Sequence, residues 1–478
     1  MNGYVRYILL KQTLITRAGK LFQNLREAIA GTEQDFTKDR LSRAIFLLSI
    51  PMALEMLMES IFAIVDIFFV SKLGPEAIAT VGITESIITI VYAVAVGLST
   101  ATSSMVSRRI GEKNADGASK AAFQAILTSL IISIAIAVPG CMFSGKLLQI
   151  MGSSPVIVNE MWPFTAIMIG GNSVIMLLFV INAIFRSAGD AAISMRVLWM
   201  ANLINIALDP LLIFGVGPFP ELGIKGAAIA TTTGRGIAVL FQLYLLFSGK
   251  KRVKLTLRHL RVDWKTMRTL VKLSLGGIGQ HLITTSSWIG LVRIISAFGS
   301  VVVAGYTIAM RIILFALLPS WGLSNAASTL VGQNLGAHQT TRAERAVWIT
   351  GWVNMIFLGS LGLVLIFFSE FFIRLFIADP AVVASGSEGL RIISLGFIAY
   401  GFGMVLVNAL NGAGDTISPT VINIFCYWLL EIPLAYFLAF TTGMRENGVF
   451  ISILVAESVM TLSAFWMFRR GKWKLKQL

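Results

Sequence analysis

Two cysteines, three histidines and a 13% share of charged residues are what this 478-residue chain has least of, and each scarcity excludes something. Cys141 and Cys426 stand in opposite halves, so no disulfide framework or metal-ligand spacing is available. His259, His281 and His338 are scattered and form no zinc motif. No nucleophile elbow or paired-histidine motif lies in an apolar stretch, which argues against an intramembrane enzyme. With charge so rare, hydrophobic residues reach 56% and mean hydropathy +0.80. A water-soluble core cannot hide that much apolar surface, so the natural solvent is lipid.

Stretches long enough to span a bilayer recur twelve times, near 45–70, 78–107, 119–143, 161–185, 191–215, 225–248, 267–297, 301–330, 345–369, 388–410, 417–440 and 447–468. The pattern predicts an all-α integral membrane protein. Its divisions are a basic amphipathic segment over 1–42, six spans over 43–248, a linker over 249–266, six spans over 267–468 and a basic tail over 469–478. The N-terminal segment interleaves Tyr4, Ile8, Leu9, Leu14 and Leu21 with basic residues, as a helix lying on a membrane surface does; an organelle-targeting sequence is the alternative. No cleavable secretory signal is visible.

Lys and Arg crowd the N-terminal segment, the second-to-third connection (Arg108, Arg109, Lys113), the linker (Lys250 to Arg261) and the tail (Arg469 to Lys476). The alternate connections carry few. By the positive-inside rule both termini and the linker are cytoplasmic, in a cell inner or plasma membrane. The net charge of +15 reflects this asymmetry and an attraction to anionic membrane lipids. Because the basic residues flank spans, nucleic acid is not an expected partner.

The chain is also written twice. Shifted by 225 residues, Gly97-Leu98-Ser99-Thr100-Ala101 falls on Gly322-Leu323-Ser324-Asn325-Ala326, Gly111 on Gly336, and Ala188-Gly189-Asp190 on Ala413-Gly414-Asp415. Duplicated halves in a membrane chain commonly face each other across a central site, the layout of a transporter.

An ionisable group in a span costs about 2.5–3.5 kcal/mol on insertion scales and is a functional candidate by default. The first span holds Glu55, Glu59 and Asp66, within about 40° of one another on a helix wheel, with Pro51 one turn earlier permitting a bend. The fifth adds Asn202, Asn205 and Asp209, the last two at i, i+4; Thr231 in the sixth reaches the same depth. These oxygens suit Na⁺, or the carboxylates share a proton. At the repeat shift Asp66, Asn205, Asp209 and Thr231 become Leu291, Leu430, Leu434 and Ala456. Needs of the fold bear on both copies, so a set confined to the first half points to function. Arg235, one turn past Thr231, is expected to neutralise Glu55 or Glu59. His281, Arg293, Arg311, Glu431 and Glu457 form a candidate polar network in the second half. Asp190 and Asp415 are read as capping or turn residues.

Pro51…Val65-Asp66-Ile67-Phe68-Phe69-Val70, Phe185-Arg186-Ser187-Ala188-Gly189-Asp190, Asn205-Ile206-Ala207-Leu208-Asp209-Pro210 and Gly332-Gln333-Asn334-Leu335-Gly336-Ala337 together resemble the multidrug and toxic compound extrusion (MATE) transporters. The match is to the prokaryotic branch whose key acids lie in the N-terminal half, and it covers roughly residues 40–470. The resemblance implies twelve helices in two pseudo-symmetric six-helix bundles, working as a monomer with no cofactor. It implies export of organic cations or amphipathic compounds against H⁺ or Na⁺, with Asp66, Asn182, Asn205, Asp209 and Thr231 at the cation site; Asn172 fits that depth better than Asn182. The acid that another branch uses in the seventh span is absent, and Thr284, Thr285 and Ser286 stand there. The alternative is a flippase for a lipid-linked precursor, which would need a wide basic cavity built around Arg235, Arg293 and Arg311.

Overall fold

A computed structural model of the chain describes residues 23–31 and 35–477, and every regular element among them is helical. Most of the expected surface-lying segment falls outside the described residues. The long helices are α1 (Leu41–Ser71), α2 (Pro75–Gly111), α3 (Ala115–Met142), α4 (Ile157–Ala188), α5 (Ala191–Ile213) and α6 (Ile224–Phe247). After the linker come α7 (Trp264–Phe298), α8 (Ser300–Gly336), α9 (Thr340–Phe367), α10 (Pro380–Leu395 with Phe397–Gly412), α11 (Ile417–Thr441) and α12 (Glu446–Arg469). Ten of these are long and apolar enough to cross a membrane, or eleven when the two pieces of α10, bent by 54°, count as one span. The protein is therefore an all-α, multi-pass membrane protein. The difference from the expected twelve lies in two places: in α10, broken at Gly396, and in α1, which carries Arg43, Glu55, Glu59 and Asp66 and stands outside the ten.

The repeat written in the sequence reappears as packing. Gly97 on α2 lies so close to α7 that a Cβ there would sit 2.7 Å from the Ser274 carbonyl oxygen and the Ile278 nitrogen. Its counterpart Gly322 on α8 lies equally close to α1, with Met52 and Ala53 backbone atoms 2.7 Å from a Cβ. Ser274 and Ile278 are the repeat partners of Ser49 and Ala53. The first helix of each half thus rests on the second helix of the other. Pro51, buried within a continuous α1, lies beside this crossing.

A second reciprocal contact joins α2 to α8 where the linker approaches. A Cβ on Gly111 would stand 1.9 Å from the Gln333 carbonyl oxygen, and one on Gly336 would stand 2.1 Å from that of Arg108. Only glycine permits backbones this close. Gln333 Nε2 donates to the Ser187 carbonyl at 2.8 Å, and Ser104 Oγ to that of Asn411 at 2.5 Å.

The same end gathers the connections. Lys251 pairs with Asp190 at 3.1 Å, and His259 with Asp116 at 2.9 Å. Asp190 stands in the turn after left-handed Gly189, as expected, but its side chain caps no helix and pairs with Lys251 instead. Asp415 accepts from Ser418 at 2.6 Å and faces Lys476 at 3.3 Å. The tail folds back: Trp473 is buried and stacked on Phe468, and Arg108 Nη2 donates to the Lys476 carbonyl at 2.9 Å.

Candidate coupling site and central cavities

Asp209 lies one turn before the end of α5 and Thr231 two turns into α6, so the hairpin between these helices brings them to one depth. Asn205 Nδ2 donates to Thr231 Oγ1 at 3.0 Å and stands 3.5 Å from Asp209 Oδ1. Asp209 has no exposed surface and Asn205 almost none. Asp209 Oδ2 and Asn205 Oδ1 are buried with no hydrogen-bond partner among the described residues. A buried acceptor left so costs about 1–3 kcal/mol, more when charged, unless a proton or cation reaches it. Asp66, half-buried on α1, is near enough for its charge to act on Asp209, and it also feels Glu85 and Arg235.

Arg235 joins this group to the interior. Its Nη2 donates to Glu59 Oε1 at 3.1 Å and its Nη1 to the Tyr92 hydroxyl at 3.1 Å, with the Phe62 ring 5.5 Å from the guanidinium carbon. Glu59 also accepts from Asn202 at 3.2 Å. Of the two partners expected for Arg235, Glu59 is the one it meets.

Glu55 has another partner. Arg186 Nη1 donates to Glu55 Oε1 at 2.7 Å, and Asn182 Nδ2 donates to the same oxygen at 3.1 Å. Asn182 in turn accepts from Gln242 at 2.5 Å. The side chain of Asn182 thus bonds to a buried ion pair and to Gln242, and makes no hydrogen bond to Asn205, Asp209 or Thr231 among the described residues. Asn172 does not join them either: it donates to the carbonyls of Ile169 and Ser133. Arg186 was in plain view within the Phe185–Asp190 motif. Its place among the residues of a helix end concealed its reach toward α1.

The repeat gives this ion pair a counterpart. Glu55 and Arg186 correspond to Gln280 and Asn411, and these two amides are hydrogen-bonded reciprocally at 3.0 Å in each direction. One half fills the position with opposite charges and the other with a neutral pair of the same connectivity.

Two cavities lie between the halves. One, of about 530 Å³, is walled by Glu55, Glu59, Tyr92, Asn182, Arg186 and Arg235 on one side and by Trp321, Asn325 and Asn408 on the other. The second, of about 340 Å³, is walled by second-half residues including Trp288, Tyr400, Tyr427, Glu431 and Glu457. His281, Trp321 and Asn408 belong to both. Asp66, Asn205, Asp209 and Thr231 line neither. The polar network expected in the second half excludes Arg293 and Arg311, whose side chains are exposed and pair with neither glutamate. Their place within the second-half spans made them candidates but could not say which way they point.

Duplicated halves packed reciprocally, cavities at their seam and buried carboxylates beside one of them define a secondary transporter. The family model described as MatE matches residues 51–211 and again 278–437, once in each half. The chain is 24% identical over 450 residues to the probable multidrug resistance protein YoeA of Bacillus subtilis (strain 168), covering 93% of this chain and 97% of that protein. It is 27% identical to the FAD transporter of Shewanella oneidensis, covering 86% and 90%. A MOP superfamily transporter from Pyrococcus furiosus Vc1, described as having a binding pocket of reverse polarity, superposes with a TM-score of 0.86 at 25% identity, over 92% of this chain and 98% of that one. The chain belongs to the MatE family. Its activity is secondary active efflux by antiport, and it is not an enzyme.

Proposed function

We propose that this transporter exports organic cations or other amphipathic compounds in exchange for H⁺ or Na⁺ taken up at Asp66, Asp209, Asn205 and Thr231. The observation that carries this is the pair of buried, unpartnered oxygens on Asp209 and Asn205, with the Asp66 carboxylate nearby. A proton on Asp209 or a Na⁺ among these oxygens satisfies acceptors that protein donors leave open. Arg235 links that group to Glu59 at the cavity wall, a route by which occupancy at one place alters the other. In this reading Asn182, Glu55 and Arg186 fix α4 against α1, and Pro51 lets α1 bend as the ion binds.

The same reading takes α1 and the bent α10 as spans, giving twelve helices in two six-helix lobes, 43–248 and 267–468, that act as a monomer. The acids of α1 are tolerable there because Glu55 and Glu59 face cationic partners in protein rather than lipid. The end that gathers the linker, Arg108, Lys251 and Lys476 is assigned to the cytoplasm of the cell or inner membrane. A flippase would require free basic groups at the cavity. Arg186 and Arg235 are each paired with a glutamate, and Arg293 and Arg311 line neither cavity, so drug export is the better-supported reading.

The test is reconstitution in liposomes with a fluorescent organic cation and an imposed pH or Na⁺ gradient. Wild type is expected to drive efflux under one gradient, and Asp209→Asn and Asp66→Asn to reduce the driven component to background. Full ion-driven efflux in either variant removes the assignment.

A further inference from the structure

A set of polar residues confined to one half marks function, and that criterion applies equally to the second half. Glu431 on α11 and Glu457 on α12 correspond by the repeat to Ile206 and Thr232, Ser287 to Phe62 and Tyr400 to Ile175. None of these second-half groups is required by the shared fold, and together they surround one space.

Glu431 is 3% exposed yet forms part of the 340 Å³ cavity wall. Ser287 Oγ donates to its Oε2 at 2.5 Å, while Oε1 has no partner among the described residues. Glu457 accepts from the Tyr427 hydroxyl at 3.2 and 3.3 Å. No Lys, Arg or His among the described residues makes an ion pair with either glutamate, whereas Glu55 and Glu59 each hold an arginine. Two carboxylates in so apolar a setting are tolerated only when a positive charge or protons neutralise them. Among the aliphatic and polar side chains of the rest of the wall stand the aromatic rings of Trp288, Tyr400 and Tyr427. Faces of this kind attract cations whose charge is spread over carbon, which small hydrated ions do not exploit.

The backbone is shaped to suit. Residues Ile424–Glu431 form a π-helical stretch leading to Pro433, which has no N–H to continue an α-helical ladder. Such widened turns are frequent at functional sites. The corresponding stretch of α5 is ordinary α-helix. The widening therefore belongs to the half that carries the glutamates.

We propose that the cavity between Glu431 and Glu457 binds the cationic group of an exported amphipathic molecule, its charge between the carboxylates and its apolar body against the tryptophan and tyrosine rings. This rests on the export reading and deepens it: substrate charge and coupling ion are received in different halves. His281, in the wall common to both cavities, marks where the bound molecule passes from one space to the other.

Equilibrium binding of tetraphenylphosphonium to the purified full chain in nanodiscs tests this without any gradient. Glu431→Gln and Glu457→Gln are expected to weaken binding at least about tenfold each, while Glu370→Gln, at an exposed ion pair away from both central cavities, retains it. Elution position and thermal unfolding in each variant separate loss of the site from loss of the fold. Unchanged affinity in folded glutamine variants overturns the proposal, as does an effect limited to the number of protons exchanged, which would make the pair a second proton site. Wild type that binds no tetraphenylphosphonium yet exports another compound under a gradient overturns the pocket and leaves export standing. Binding by a chain that transports nothing under any gradient removes the export reading instead.

Discussion

Arg186→Asn alone is expected to destabilise the folded chain by about 3–5 kcal/mol, the usual effect of stripping one member from a buried ion pair. The double substitution Glu55→Gln/Arg186→Asn is expected to recover most of that loss. The side chains concerned are 2% and 12% exposed, so loss of the guanidinium leaves the Glu55 carboxylate largely buried without its cation. The double variant writes into the first half the amide pair that Gln280 and Asn411 already form in the second. Asn182 would still have an amide oxygen at position 55 to donate to. Thermal unfolding in detergent reads the outcome, and the three proteins are expected to rank wild type and double variant together above the single. A single variant melting with wild type, or a double variant no better than the single, would refute the equivalence of the two pairs.

The other large effect is expected at the reciprocal glycines. Gly111→Ala and Gly336→Ala each place a methyl carbon about where a carbonyl oxygen now stands, at 1.9 and 2.1 Å. Backbone cannot yield as a flexible side chain does, and overpacking costs about 1–3 kcal/mol or more. The cheaper response is for α2 and α8 to part at this end. Lys113 and His338 are convenient reporters. They are repeat partners, both exposed, each just beyond the crossing, and both in the left-handed region with φ of 58° and 57°. Spin labels at Lys113→Cys and His338→Cys, in a background lacking Cys141 and Cys426, are expected to report a distance longer by several ångström in either alanine variant. Identical distance distributions would show that the crossing does not hold this end closed.

Much of this was legible in the sequence because duplication is a strong signal. The alignment of Gly111 with Gly336 and of Gly97 with Gly322 marked two related halves expected to face each other, and the close contacts at these glycines are how they meet. The Asn205–Asp209 pairing followed from i, i+4 spacing, and the position of Arg235 within a span implied a carboxylate partner, Glu55 or Glu59, without saying which. What could not be read was azimuth. Arg186 and Glu55 lie on different helices, and nothing in either segment states that their faces meet. Arg293 and Arg311 share the second-half spans with Glu431 and Glu457 and yet point elsewhere. The break in α10 at Gly396 was hidden for a similar reason, since no proline marks it and the apolar run continues on both sides. Asn182 was assigned by family resemblance, whereas its hydrogen bonds depend on Gln242 and Glu55.

The exchange of first helices also constrains how the molecule is made. α1 leaves the ribosome first, bearing Glu55, Glu59 and Asp66, but its partners come late. Arg186 and Arg235 follow well over a hundred residues afterwards, and Gly322, against which Met52 and Ala53 rest, belongs to the eighth helix. Asn202 and Trp199 of α5 can meet α1 once the fifth helix is made, but the packing of α1 against α8 waits for the second half. The first half cannot finish as an independent domain, because one of its walls is synthesised after the linker. A nascent chain halted in the linker is therefore an unfinished object, and its earliest helix is among the last to find its place.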